Sequence, residues 1–88
     1  MSTPGKKLLL GELKPGFRGK IRSLGCESPD ARQAEIIHRL LEVGLFEGAP
    51  VEIAFEAPFT RDPISVRIRG TLIAIRRNEA NLIEVEGE

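Results

Sequence analysis

The 88-residue sequence has no tryptophan and no tyrosine, and it has only one cysteine and one histidine. The lone Cys26 cannot close a disulfide within the chain. A thiol nucleophile paired with an imidazole base would have to use Cys26 and His38, and no third group that could orient them is signalled. The scarcity of aromatic rings also argues against a surface that stacks nucleic-acid bases. We therefore predict that the protein is not an enzyme, and the same absences argue against nucleic acid as its partner.

An excess of charge is also missing, because thirteen Lys and Arg balance thirteen Asp and Glu. A neutral chain lacks the long-range field typical of proteins that bind nucleic acid or anionic membranes. No apolar run approaches the ~18 residues needed to span a membrane. The run Leu8–Leu10 near the start is too short for a signal peptide. These features predict a cytoplasmic protein with no direct membrane insertion.

What is present is a pattern of short strands in which apolar and polar residues alternate. The predicted strands cover residues 17–22, 51–57, 64–68, 71–75 and 83–86. The alternation assigns Phe17 and Phe55 to the core. Gly70 provides a tight connection between two of the strands and predicts a hairpin. Residues 76–81 are predicted to form a polar turn.

One amphipathic helix is predicted after the first long strand. Its start is signalled by Ser28, by a proline at the first helical position and by Asp30. Gly44, followed by Leu45, predicts its end. The residues predicted to face the core are Ile37, Leu40, Leu41 and Gly44.

The overall pattern predicts a mainly β protein with about five antiparallel strands and one helix. A chain this short hides its strand edges best by closing into a small barrel. We assign residues 8–86 to a single domain and residues 1–7 to a disordered N-terminal tail.

Two motifs follow one another along the chain. The first, at the end of the predicted helix, consists of Arg39, Leu40, Glu42, Gly44, Leu45 and Gly48. The second, from a strand start to the polar turn, consists of Asp62, Pro63, Gly70, Arg76, Glu79 and Ala80. Their order and spacing resemble the FeoA family from about Leu8 to Val85. Arg61 departs from the family pattern, which commonly has glycine before the aspartate and proline.

The resemblance implies an SH3-like barrel that serves FeoB, the membrane ferrous-iron transporter with a GTP-binding domain. On this interpretation the protein is a non-enzymatic cytoplasmic accessory that binds FeoB and modulates its GTP-dependent activity. Related domains end some iron- and manganese-dependent repressors, but this chain has no room for a DNA-binding domain and is expected to stand alone. The alternatives are a small nucleic-acid or ribosome-associated barrel and a metal-responsive protein-binding module.

A metal site is one hypothesis for the helix. His38 and Glu42 are one helical turn apart, and Glu35 lies one turn the other way. Imidazole with carboxylate suits zinc or ferrous iron, although one chain falls short of a full ligand set. Such a metal could bridge two copies in a homodimer, and no cofactor is otherwise required. The alternative is an ordinary solvent-facing histidine.

Two further groups of residues are candidates for contact with a partner. The helix end and the turns predict a protein-binding surface made of Arg39, Leu45, Phe46, Phe59 and Arg76. A basic patch would be formed by Arg18, Lys20, Arg22, Arg67, Arg69, Arg76 and Arg77. The alternatives are aromatic rings that pack over the barrel mouth and a solvated outer face.

Overall fold

The computed structural model describes residues 8–25 and 28–88. Its strands are β1 (Leu8–Leu9), β2 (Arg18–Leu24), β3 (Pro50–Glu56), β4 (Ile64–Ile68), β5 (Thr71–Ile75) and β6 (Ile83–Gly87). A 3-10 turn (Leu10–Glu12) follows β1, helix α1 (Ala31–Glu42) lies between β2 and β3, and the short helix α2 (Arg77–Ala80) lies between β5 and β6. The predicted tail at residues 1–7 and Cys26 lie outside the described residues.

The described strands form one antiparallel sheet in the order β1-β6-β2-β3-β4-β5. This confirms the prediction of a mainly β fold with one principal helix. The sequence analysis missed β1, because two residues are too few to show alternation. It also read α2 as part of a polar turn. Gly19 of β2 is paired on both sides, with Val51 and Gly87, and a Cβ there would collide with the carbonyl oxygen of Glu86.

One apolar core lies against the inner face of the sheet. It consists of Leu10, Ile21, Leu40, Leu45, Ala49, Val51, Ile53, Ile64, Val66, Ile68, Ile75, Ala80, Ile83 and Val85. Five strands, both helices and the 3-10 turn contribute to this single cluster, so the sheet must curl around it. Phe17 packs against the core, as predicted.

The alternation predicted for the second long strand breaks at a β-bulge. The pairing of β3 with β4 shifts register between Ile53 and Phe55. Because the bulge adds one residue to β3, the residues after it point to the opposite face of the sheet from the one that alternation predicts. The Phe55 side chain therefore points outward and is 57% exposed. The assignment of Phe55 to the core was therefore wrong, because alternation alone carries no signal of a bulge.

Helix α1 begins later than predicted. Asp30 is its N-cap: one carboxylate oxygen accepts the backbone N–H of Gln33 at 2.8 Å, and the Gln33 side chain accepts the Asp30 N–H at 3.1 Å. This reciprocal capping box satisfies two donors at the helix start. Pro29 therefore precedes the helix and does not occupy its first position.

The C-terminal end of α1 agrees with the prediction, and its buried face agrees only in part. Gly44 has a φ of 105°, and the N–H of Leu45 donates to the carbonyl of Leu40 at 3.0 Å, as in a Schellman cap. Leu40 is buried and Ile36 packs against the core, whereas Leu41 is 44% exposed. Placing Leu41 in the core was therefore wrong. The spacing of apolar residues left the exact rotation of the helix undetermined.

Candidate partner-binding surface

Helix α2 begins where β5 ends, and its first residue ties several segments together. The guanidinium of Arg77 donates to the carbonyls of Leu13 (2.7 Å), Gly11 (3.1 Å) and Arg61 (2.7 Å), and to a carboxylate oxygen of Glu56 (2.7 Å). Four of its five N–H donors are thus used within the chain. Its role is to join the 3-10 turn, β3 and the loop after β3, so it has little capacity left for a partner.

The loop between β3 and β4 is held in an unusual backbone conformation. Phe59 and Arg61 have φ values of 70° and 62°, in the left-handed region that favours glycine. The N–H of Arg61 donates to the carbonyl of Ala57 at 2.9 Å, and Asp62 accepts the backbone N–H of Arg77 at 3.0 Å. These bonds anchor the loop. The left-handed backbone at Arg61 also gives a physical reason for the glycine that the motif commonly has there.

Phe59 lies at the tip of this loop with its side chain fully exposed. A bulky residue in the left-handed region carries strain, and such strain persists only where the surroundings hold it in place. Large exposed aromatic side chains often anchor protein interfaces. Of the residues predicted to contact a partner, Phe59 is therefore the most available.

Arg39 and Arg76 are connected through Glu79. One Glu79 oxygen lies 2.7 Å from Nη2 of Arg39, and the other accepts the backbone N–H of Arg76 at 3.4 Å. The pair joins α1 to the start of α2. The Arg76 side chain is exposed and forms no ion pair within residues 8–25 and 28–88. Arg76 can therefore meet an acidic partner, whereas Arg39 is already paired.

Leu45 and Phe46 are less exposed than Phe59. Leu45 is 0% exposed and belongs to the core, so it has no surface to offer a partner and is removed from the predicted surface. It was predicted both to mark the helix end and to contact a partner, and its position in the Schellman cap directs it inward. Phe46 is partly buried against the core, and the guanidinium of Arg69 lies 5.0 Å from the centre of its ring.

Four of the seven cations in the predicted basic patch have a carboxylate nearby. Carboxylates lie within 4.0 Å of Arg18, Arg22, Arg67 and Arg77. Exposed pairs of this kind are individually weak, but they reduce the local positive potential. The arrangement is that of a solvated surface of mixed charge.

The three candidate metal ligands lie on α1. His38 Nε2 is 3.5 Å from Glu42 Oε2, and both side chains are exposed. With Glu35 they help to line an open groove of about 660 Å³, which Arg39 also enters. In the described part of the chain no three His, Cys, Asp or Glu side chains are arranged to hold a metal ion. The geometry thus offers at most a pair of ligands, and the full site stays a prediction.

Comparison with known families and structures shows which family the chain belongs to. The model of the FeoA domain matches residues 8–87. The chain belongs to the FeoA domain family. The resemblance drawn from the two motifs is thereby confirmed. No curated protein matches the sequence. No helix in the described residues is long and apolar enough to cross a membrane.

Solved FeoA structures share the fold. The solution structure of FeoA from Chlorobium tepidum is 36% identical, with a TM-score of 0.74, and the match covers 91% of this chain and 70% of that one. A FeoA-like protein from Clostridium acetobutylicum is 28% identical, with a TM-score of 0.77 and coverage of 99% and 90%.

A third solved structure bears on both fold and metal. FeoA from Stenotrophomonas maltophilia, solved with zinc, is 25% identical over 90% of this chain and 89% of that one, with a TM-score of 0.74. It is described as a prokaryotic SH3 domain protein with a suggested role as an activating factor for ferrous iron transport. The SH3-like fold predicted for this FeoA-family chain is therefore confirmed.

The sequence analysis missed one surface, the outer face of the sheet around β5. Leu72 is 46% exposed there, and Phe55 lies two strands away on the same outer face. The sequence analysis predicted a strand over residues 71–75 but assigned none of its side chains to a face. That β5 ends the sheet depends on the strand order, which alternation does not reveal.

Proposed function

We propose that this FeoA-family chain is a non-enzymatic accessory protein of ferrous iron transport. It binds the cytoplasmic part of the FeoB transporter and modulates its GTP-dependent activity. The observation that carries the proposal is the match of the FeoA domain to residues 8–87. The description of the Stenotrophomonas maltophilia relative as a suggested transport-activating factor supports it. The working compartment is the cytoplasm.

The mechanism we propose is a difference in affinity for the nucleotide states of the transporter. A bound accessory shifts a conformational equilibrium only as far as it binds one state more tightly than the other. Phe59 and Arg76 are the proposed contacts, because both are exposed and both lie on segments anchored by residues of α2. Arg39 and Phe46 support the surface through Glu79 and Arg69.

Co-purification with detergent-solubilised FeoB tests this function. The protein is mixed with the transporter in the presence of GDP or of a non-hydrolysable GTP analogue, and recovery is compared. We expect recovery to depend on the nucleotide and to fall in the Phe59→Ala variant. Leu41→Ala is the matched control, because Leu41 is an exposed apolar residue on α1. No recovery in either nucleotide state would reject the proposal.

A second role, metal-responsive binding, is favoured by the proximity of His38 and Glu42. In this proposal the two side chains, with Glu35 nearby, supply part of a site for zinc or ferrous iron, and a second copy of the chain supplies the rest. Calorimetric titration with zinc, combined with sedimentation, tests it. The expected result is zinc-dependent dimerisation that His38→Ala removes. Zinc binding that is unchanged in the variant would contradict this role.

A further inference from the structure

Strand β5 lies at one end of the sheet, and within the described residues its one neighbouring strand is β4. The loop between them is residues 69–70, both with positive φ, as in a two-residue hairpin. In such a hairpin the residues flanking the loop, Ile68 and Thr71, exchange both backbone hydrogen bonds, and hydrogen-bonded pairs then alternate along the ladder. Leu72 and Ala74 therefore turn their backbone N–H and C=O groups away from β4.

These outward backbone groups are free in the described part of the chain. Outside the ladder no backbone bond involves Leu72 or Ala74, and no side chain of the described residues bonds to them. Proteins usually block such an edge with charged side chains, a proline or a bulge. The sequence of β5, Thr-Leu-Ile-Ala-Ile, has no charge and no proline, and its pairing with β4 runs without a register shift.

The charges around β5 are positive at both ends. Arg69 precedes the strand and Arg76 follows it directly. Within the described residues neither has an acidic partner: Arg69 contacts the ring of Phe46, and Arg76 forms no ion pair. The nearby Glu79 is engaged by Arg39 at 2.7 Å. The free edge thus lies between two cations that are available for carboxylates.

This charge pattern disfavours a second copy of the chain as the occupant. If β5 paired with itself in antiparallel fashion about Ile73, Thr71 of one copy would lie opposite Ile75 of the other. Continued outward, the same register would set Gly70 of each copy opposite Arg76 of its partner, so that Arg69 of one copy comes next to Arg76 of the other. Like charges in neighbouring positions are destabilising. A segment with acidic ends meets the same cations favourably.

We infer that the edge of β5 is a docking site for an extended acidic segment of a partner protein, which adds to the sheet as a further strand. The backbone of Leu72 and Ala74 supplies the hydrogen bonds, as in other cases of β-strand addition. Arg69 and Arg76 bind carboxylates at the two ends of the segment. Five strand residues span about 17 Å, which sets the length of the extended part. The inference holds whichever protein carries the segment.

A synthetic peptide tests the docking site apart from any transporter. The probe is a blocked heptapeptide, Glu-Thr-Val-Thr-Val-Thr-Glu, titrated into the isotope-labelled protein and followed by amide NMR. We expect saturable shifts centred on Leu72 and Ala74, weakened by salt. A peptide with lysine in place of both glutamates should bind at least about tenfold more weakly, a loss equivalent to about 1.4 kcal/mol.

Three changes separate the backbone and charge contributions to binding. Ala74→Pro removes an outward N–H without breaking the ladder to β4, and a peptide methylated at its backbone nitrogens blocks the same bonds while leaving the protein unaltered. Both should abolish the shifts. Arg76→Glu should weaken binding, whereas Arg32→Glu, the same charge change in the first turn of α1, should not.

Three outcomes would overturn the inference. The first is a set of shifts centred on another surface, such as the loop that carries Phe59. The second is equal binding of the acidic and basic peptides or of the methylated peptide. The third is concentration-dependent dimerisation that Ala74→Pro removes, because that result would assign the edge to a second copy of the chain.

Discussion

Replacing Arg77 by methionine should destabilise the whole domain. The side chain joins Glu56 and the carbonyls of Gly11, Leu13 and Arg61, and these belong to segments far apart in the sequence. Methionine has a similar length but no donors. The variant therefore leaves a partly buried carboxylate without its cation and three carbonyls without their partner.

The expected loss in the free energy of unfolding follows from these contacts. A hydrogen bond to a charged group contributes about 1.5–3 kcal/mol, so four of them set an upper bound of about 6–12 kcal/mol. The Arg77 side chain is 21% exposed, so water replaces part of what is lost. We expect a loss of about 3 kcal/mol in the free energy of unfolding, out of the roughly 5–15 kcal/mol typical of a domain. The melting temperature should fall by about 12–24 °C.

Urea and thermal denaturation followed by far-ultraviolet circular dichroism measure this loss. Arg76→Met is the control, because Arg76 is the adjacent arginine, is exposed and has no ion pair in the described residues; its effect should stay within about 0.5 kcal/mol. A double-mutant cycle with Glu56→Gln should give a coupling of about 1 kcal/mol or more. Equal destabilisation by the two arginine variants would refute the assigned role of Arg77.

Three further variants test the packing of the domain. Leu45→Ala should lower the free energy of unfolding by about 3 kcal/mol, because it leaves a cavity in the core; a loss below about 1 kcal/mol would contradict its burial. Asp30→Ala should cost about 1 kcal/mol through loss of the helix cap, and Asp30→Asn should restore most of it. Phe55→Thr should change the free energy of unfolding by no more than about 0.5 kcal/mol, since the ring points outward. A loss near 3 kcal/mol would show instead that Phe55 is a core residue. Urea denaturation measures all three.

Local features of the chain could be predicted because they depend on neighbouring residues. The hairpin at Gly70 and the helix end at Gly44 both require positive φ, which glycine adopts without strain, and the structure has both. The two FeoA motifs could likewise be recognised, since they depend on residue types at fixed spacing. The same motifs indicated the SH3-like fold.

Features that depend on contacts between distant segments could not be predicted in this way. The bulge that turns Phe55 outward arises in the pairing of β3 with β4, and Arg77 acquires its role only when three segments meet around it. Phe59 and Arg76 could be named as candidates from the sequence, because each stands beside a recognisable turn or strand end, and their contact with a partner stays a prediction.

The amino-acid sequence by itself determined the mainly β composition, the one principal helix and the family of this protein. Periodicity and turn residues are local properties that any conformation of the chain carries. The tertiary structure alone decided that β5, between Arg69 and Arg76, is an open edge, since among the described residues no strand pairs with its outer side. Some side chains are bonded within the domain and others stay available to a partner. This division is likewise decided only when the segments pack together.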